Sequence, residues 1–210
     1  MTKPQTTRKK RANGVESQQR ILDATVQIAG ERGYEGTSIS AVSAACGLPP
    51  SSIYWHFKDK DDLIAAVIER SFDTWLAAVE LPGEEAGTPL ERVTTVAAHV
   101  AKSLLEAPDF LRLGLMLALE RRPAEPRGRT VFLRVRDIAQ AKITEMIETL
   151  VPELDEAALN SLTTYAVAGA DGLFVQREIN GDAVDLVEMF ELHARMVYEA
   201  AMRMAATNKA

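Results

Sequence analysis

Cysteine, long apolar runs and helix-breaking residues are scarce in this sequence. Cys46 is the single cysteine among 210 residues, which excludes an intramolecular disulfide framework. No uninterrupted apolar stretch approaches the roughly 18 residues that a transmembrane helix needs. The basic residues near the N-terminus are not followed by an apolar segment, so we expect no secretory signal. Together these absences predict a protein of the reducing cytoplasm, without contact with a membrane.

Strand patterns are missing as well. Only nine prolines and twelve glycines interrupt the chain, and hydrophobic residues make up 47% of it. No segment keeps the period-two alternation of a half-buried strand, whereas apolar residues recur at spacings of three and four. The sequence therefore predicts an all-α protein of about nine helices.

Charge is distributed unevenly along the chain. The formal net charge is -6, which by itself argues against a nucleic-acid partner. Residues 1–60, however, hold nine lysines and arginines against five acidic residues, whereas residues 61–210 hold 15 against 25. A molecule with one basic end and an acidic remainder would present the basic end to a polyanion and repel it elsewhere.

Three regions follow from this pattern. We expect a disordered basic arm at residues 1–14, a small helical domain at 15–60 and a larger helical body at 61–210. The small domain should contain helices at about 16–32, from Thr37 or Ser38 to Ala45, and from Pro49 onward, with Gly47 in the turn. In the body, a loop is predicted at 81–89, with helices at about 59–79, 90–106, 110–121, 128–150, 154–179 and 183–205.

The most informative segment is 37–63, in which two short helices flank a tight turn. Ile53 and Phe57, four residues apart, form the buried pair of the second helix. Its other face offers small hydroxyls at Ser51 and Ser52 and amphipathic rings in the following residues. A helix of this kind suits the major groove of DNA, where serine reads base edges and the rings reach the backbone.

Residues 17–64 resemble the TetR family of bacterial regulators. The features that carry the resemblance are Arg20-Ile21-Leu22, Gly33-Tyr34, Thr37-Ser38, Val42, Gly47-Leu48, Ile53-Tyr54-Trp55-His56-Phe57, Lys60 and Leu63. The resemblance implies an N-terminal three-helix helix-turn-helix DNA-binding domain and a larger ligand-binding and dimerisation domain. By position, it implies DNA contacts for Thr37, Ser38, Ser51, Ser52, Tyr54, Trp55, His56 and Lys60.

Two positions depart from the family pattern. Pro49 stands where a serine-like helix cap is common, so the third helix should lack a hydroxyl cap. Cys46 stands where a small alanine is usual, and we interpret it as a small buried residue. The resemblance otherwise implies a homodimeric repressor that binds a palindromic operator in double-stranded DNA and releases it when a small molecule binds.

An enzyme and a helical interaction module without DNA are the alternatives. The sequence has no phosphate-binding glycine loop, nucleophile elbow or paired metal-ligand motif, so we expect no catalytic residues, metal or cofactor. His99 and His193 are far apart in sequence and belong to no close ligand pair. An interaction module would leave the serine-rich helix and the charge division unexplained.

The effector and the dimer are predicted with less detail. The helices of the body are apolar, which favours an apolar or amphipathic small molecule. Candidate lining residues are Phe72, Trp75, Val96, His99, Leu113, Leu117, Phe132, Val135, Tyr165 and Phe174. The resemblance places the dimer interface on the last two long helices, with candidate residues Leu162, Ala166, Gly169, Leu173, Phe190, His193 and Val197; an intramolecular core contact is the alternative for each.

Overall fold

A computed structural model describes residues 5–80, 82–83, 87–119 and 126–207, with side chains from residue 13 onward. Within these ranges the chain forms nine α-helices, one short 3-10 turn at Gly181–Ala183, and no strand. The all-α prediction is therefore confirmed. The helices are α1 (Gln5–Gly36), α2 (Ile39–Cys46), α3 (Pro50–His56), α4 (Lys60–Ala78), α5 (Pro89–Glu106), α6 (Asp109–Leu119), α7 (Arg127–Leu150), α8 (Glu156–Asn180) and α9 (Leu186–Thr207).

The first helix begins earlier than predicted. Helix α1 starts at Gln5, so the expectation of a disordered arm at 1–14 is wrong from that residue onward; residues 1–4 lie outside the described part. Lysine, arginine, glutamine and alanine dominate this segment, and all four are good helix formers. Near its other end α1 bends at Gly33, whose φ of 68° favours glycine.

The helix-turn-helix is fixed by local contacts at its turn. Ser38 caps α2, since its side chain accepts a hydrogen bond from the Ala41 amide. Gly47 ends the helix with a left-handed φ of 67°. Across the turn, the Arg20 guanidinium donates to the Cys46 carbonyl at 2.7 Å. Helix α3 then starts at Pro50 without a side-chain cap, as the proline at position 49 predicts.

The chain divides into two compact units, each with its own core. The first contains the chain up to Ser71 together with Asp109–Leu133, and the second contains Phe72–Pro108 and the chain from Arg134 onward. The division therefore falls inside α4 and α7 rather than at the boundary predicted between residues 60 and 61. The reason is packing, since Gly128 on α7 approaches Leu117 and Ile64 so closely that a Cβ would lie 3.0 and 3.3 Å from them.

The second unit packs α8 against α9. A buried cluster joins residues of α7, α8 and α9, among them Ile147, Leu162 and Val197. Helix α8 approaches α9 closely at Gly169, where a Cβ would lie 2.3 Å from Cε1 of His193. The His193 Nε2 also lies 2.9 Å from the Ala166 carbonyl oxygen.

These contacts bear on the residues that the sequence predicts as candidates for the dimer interface. Leu162, Phe190 and Val197 are buried within a single chain, and Gly169 faces a histidine of its own chain. The resemblance placed the dimer interface on these helices, and apolar spacing shows that a face is covered but not what covers it. Within one chain, Leu162 and Val197 belong to the same buried cluster, and His193 contacts Ala166 and Gly169. The dimer interface itself stays a prediction.

Candidate DNA-binding interface

Helix α3 has one buried and one exposed face. Ile53 is fully buried and Phe57, just after the helix, is 4% exposed. On the other side Tyr54 and Trp55 are 57% and 76% exposed. Ser51 is exposed and Ser52 half-buried. The face that was predicted to read DNA therefore carries two large rings that the fold of this chain leaves in solvent.

His56 lies at the edge of this face. Its ring is half-buried and meets the Trp55 ring edge to face, with centroids 4.5 Å apart. Partial burial lowers the pKa of His56 below its ordinary value of 6.5. At pH 7 the imidazole is therefore neutral, and it offers a single N–H donor.

Lys60, the first residue of α4, is held against the end of α1. Its ammonium lies 4.1 Å from the centre of the Tyr34 ring and donates to the Tyr34 carbonyl at 3.3 Å. The Glu35 carboxylate lies 3.6 Å from the same Nζ. Tyr34 in turn donates its hydroxyl hydrogen bond to Asp61. Tyr34 is 6% exposed and belongs to the core, and Glu35 was not identified from the sequence.

Two of the predicted contacts have structural roles. Thr37 is 1% exposed, and its hydroxyl donates to the Gly33 carbonyl at 2.8 Å. The prediction that its side chain faces DNA is therefore wrong, because the hydroxyl is buried and hydrogen-bonded to the backbone at the bend of α1. Ser38 is exposed but also serves as the α2 cap.

A surface depression is lined by two of the remaining candidates, Tyr54 and Lys60. It has a volume of about 590 Å³ and lies between the end of α1, the start of α2 and helix α3. Polar groups of all these elements and of α4 line it, so a phosphate entering it would meet hydroxyls, one ammonium and the Glu35 carboxylate. The lining residues are Glu35, Thr37, Ser38, Ile39, Ser40, Pro50, Tyr54 and Lys60.

The predicted effector residues are mostly buried, with two exceptions. Leu113, Leu117 and Phe132 belong to the first unit, and the other candidates belong to the second. His99 is exposed and Tyr165 is 60% exposed, so neither lines a closed cavity in this chain. Each lies on the outward side of its helix, which a stretch rich in apolar residues does not reveal. The buried candidates are Phe72, Trp75, Val96, Leu113, Leu117, Phe132, Val135 and Phe174.

Neither a metal site nor a membrane-spanning helix is found among the described residues. No group of three or more histidine, cysteine, aspartate or glutamate side chains there is arranged to hold a metal ion. No helix in the same residues combines the length and apolar character that crossing a membrane requires.

Comparison with known proteins places the helix-turn-helix among bacterial regulators. The family described as bacterial regulatory proteins, tetR family, matches residues 21–67. The transcriptional regulator AcrR of Shigella flexneri is 33% identical over 98 residues, which are 46% of this chain and 45% of AcrR. The fatty acid metabolism regulator of Bacillus subtilis is 26% identical over 107 residues, 51% of this chain and 55% of that protein. The matched segment thus spans about half the length of these curated relatives.

A solved structure extends the likeness to the whole fold. The fatty acid degradation regulator FadR of Bacillus halodurans superposes with a TM-score of 0.71 at 16% identity, covering 86% of this chain and 94% of FadR. At that identity the likeness shows the fold alone. The segment 21–67, which holds the helix-turn-helix and its exposed α3 face, is thus similar to the tetR family of bacterial regulatory proteins.

Proposed function

We propose that this protein is a sequence-specific DNA-binding regulator of transcription that acts as a repressor. The observation that carries the proposal is the outward face of α3, where Tyr54 and Trp55 are exposed while Ile53 anchors the helix. Large exposed rings that lie together on one face are typical of a site that binds a partner. DNA supplies that partner, because sugar and phosphate groups suit rings with one polar atom.

The residues of this face divide by the part of DNA that they reach. Ser51 and Ser52 lie in the first turn of α3, the part of a recognition helix that approaches base edges. Tyr54, Trp55, His56 and Lys60 would contact the backbone. Sequence preference would therefore depend on the two serines, and overall affinity on the rings and the lysine.

The proposed partner in assembly is a second copy of this chain. A two-fold dimer presents two recognition helices to a palindromic operator in double-stranded DNA. Apolar residues remain exposed on both long helices of the second unit, in addition to the stripe that packs intramolecularly. They are Tyr165, Val175 and Ile179 on α8, and Leu192, Met196 and Met202 on α9.

The proposed signal is an apolar or amphipathic small molecule. The second unit buries aromatic and aliphatic side chains, including Phe72 and Trp75, whose rings stack at 5.5 Å. Pockets for such ligands are lined mainly by residues of this kind. The regulators of fatty acid metabolism among its relatives belong to a metabolism of amphipathic molecules. A ligand would act by binding the DNA-incompetent state more tightly than the competent one.

The test is salt-dependent binding to duplex DNA by fluorescence anisotropy. We expect affinity to fall steeply as salt rises, because Lys60 and its neighbours displace condensed counterions. Tyr54→Ala and Lys60→Ala should weaken binding to every sequence, and Ser52→Ala should change preference at one position of each half-site. Unchanged affinity in both Tyr54→Ala and Lys60→Ala, with unchanged thermal unfolding, would contradict the assignment.

The dimer has its own test in sedimentation. Ile179 is 69% exposed on α8, so Ile179→Glu should lower the dimer content without changing the fold of the chain. Leu105→Glu is the matched control, since Leu105 is 44% exposed on α5. A wild-type protein that sediments as a monomer at micromolar concentration, or equal effects of the two variants, would refute this interface.

A further inference from the structure

Lys60 is paired before any DNA arrives. Its ammonium lies 3.6 Å from a carboxylate oxygen of Glu35 and 4.1 Å from the centre of the Tyr34 ring. It also donates to the Tyr34 carbonyl at 3.3 Å. The Lys60 side chain is 27% exposed and that of Glu35 is 72% exposed. Two residues of α1 thus hold the lysine: Tyr34 from the buried inner side and Glu35 from the exposed outer side.

Glu35 and Lys60 line the same surface depression, and the proposed function assigns Lys60 to the DNA backbone. A phosphate that pairs with Lys60 there enters beside a negative charge of the protein. Two anions then compete for one ammonium, and their mutual repulsion disfavours the bound state. The contacts to Tyr34 do not compete, because a carbonyl and a ring face are neutral and lie on the inner side.

We propose that Glu35 competes with a DNA phosphate for Lys60 and thereby lowers the affinity of this protein for duplex DNA of any sequence. Tyr34 acts as a positioning residue, because it keeps the ammonium at the mouth of the depression when the carboxylate is displaced. This inference rests on the proposed function and adds a regulation of affinity within the same site. Since a phosphate carries no sequence information, operator and non-operator affinities fall by the same factor.

The decisive variant is Glu35→Gln, which keeps the size of the side chain and removes its charge. We expect it to tighten binding to a labelled mixed-sequence duplex at low salt by about twofold to fivefold, the range typical of exposed ion pairs. The gain should shrink as salt rises, because screening weakens the competition. Glu31→Gln is the matched control, since Glu31 is an exposed acid four residues earlier on α1 that accepts a hydrogen bond from Gln27.

A double-mutant cycle separates competition for Lys60 from a general change of charge. In a Lys60→Met background, Glu35→Gln should raise the DNA affinity no more than Glu31→Gln does, because the ammonium for which Glu35 and phosphate compete has been removed. Lys60→Gln replaces Lys60→Met if the latter unfolds at a lower temperature than the wild type. The operator and the mixed-sequence duplex should show the same factor for Glu35→Gln.

The outcomes distinguish this inference from the function on which it rests. Equal effects of Glu35→Gln and Glu31→Gln, or an undiminished effect of Glu35→Gln without Lys60, would overturn the competition alone. A wild-type protein that binds no duplex at low salt would overturn both the inference and the proposed function.

Discussion

Helix α3 and the pair α8–α9 bury their side chains in different ways. Helix α3 has seven residues and buries Ile53 at its centre, so the opposite side is free for a partner. Helices α8 and α9 have 25 and 22 residues. They carry one apolar stripe that packs within the chain and further apolar residues that remain exposed. In the short helix, aliphatic residues lie on one face only, so the sequence indicates which face is buried. The two long helices have apolar residues on more than one face, and only the tertiary structure shows which face is covered.

The largest effect should come from the close contact between Gly169 on α8 and His193 on α9. Gly169→Ala places a Cβ 2.3 Å from the His193 ring, and overpacking of this kind costs about 1–3 kcal/mol. Gly172→Ala is the matched control three residues later on α8, where no atom lies within 4 Å of the new Cβ. There the change should be neutral or stabilise the helix by up to about 1 kcal/mol.

Urea unfolding of the two variants measures this difference. If the stripe instead belonged to a contact between chains, Gly169→Ala would lower the dimer content and leave the unfolding of the monomer unchanged. Equal unfolding free energies for the two variants would therefore contradict the intramolecular contact.

A smaller effect should separate structure from recognition in the helix-turn-helix. Thr37→Val removes the buried hydrogen bond to the Gly33 carbonyl, which should cost about 1 kcal/mol of unfolding free energy. The DNA affinity of the folded protein should not change, because this side chain is 1% exposed.

Ser51→Ala should behave in the opposite way, since Ser51 is exposed. Its unfolding free energy should match that of the wild type and its DNA affinity should fall. If Thr37→Val weakened DNA binding more than Ser51→Ala at equal folded fraction, the structural role given to Thr37 would be wrong.

These cases show how far residue patterns reach in this protein. The helix bounds from α2 to α9 follow closely from caps, glycines and apolar spacing, and the outward face of α3 follows from Ile53 and Phe57. The start of α1 differs from the prediction, because the basic residues before residue 15 indicated disorder although lysine and arginine are good helix formers. The roles of Thr37 and Glu35 depend on distances across the bend at Gly33, and the covered side of α8 depends on His193. None of these leaves a signal in local spacing.

The weakest expected effect concerns pH at the edge of α3. Burial holds the pKa of His56 below 6.5, so the neutral ring is the form that the fold favours. Its contribution to stability is present above pH 6.5 and is lost as pH falls through the lowered pKa. The same protonation adds a positive charge beside the DNA backbone, so affinity per folded molecule should rise.

The check is DNA affinity and thermal unfolding between neutral and mildly acidic pH. His56→Asn should remove this part of both pH dependences, whereas His99→Asn, at an exposed site on α5, should leave them as in the wild type. Identical pH profiles for wild type and His56→Asn would show that His56 does not take part.

The most direct measurement of the central claim is the emission of Trp55 during a titration with duplex DNA. Trp55 is 76% exposed on the outward face of α3, whereas Trp75 is 6% exposed. We expect DNA to change the wild-type emission in step with anisotropy, with both changes lost at high salt. In Trp55→Phe, any binding that remains should leave the emission constant. Wild-type binding that is seen by anisotropy but leaves the Trp55 emission unchanged would show that α3 is not the helix that meets DNA.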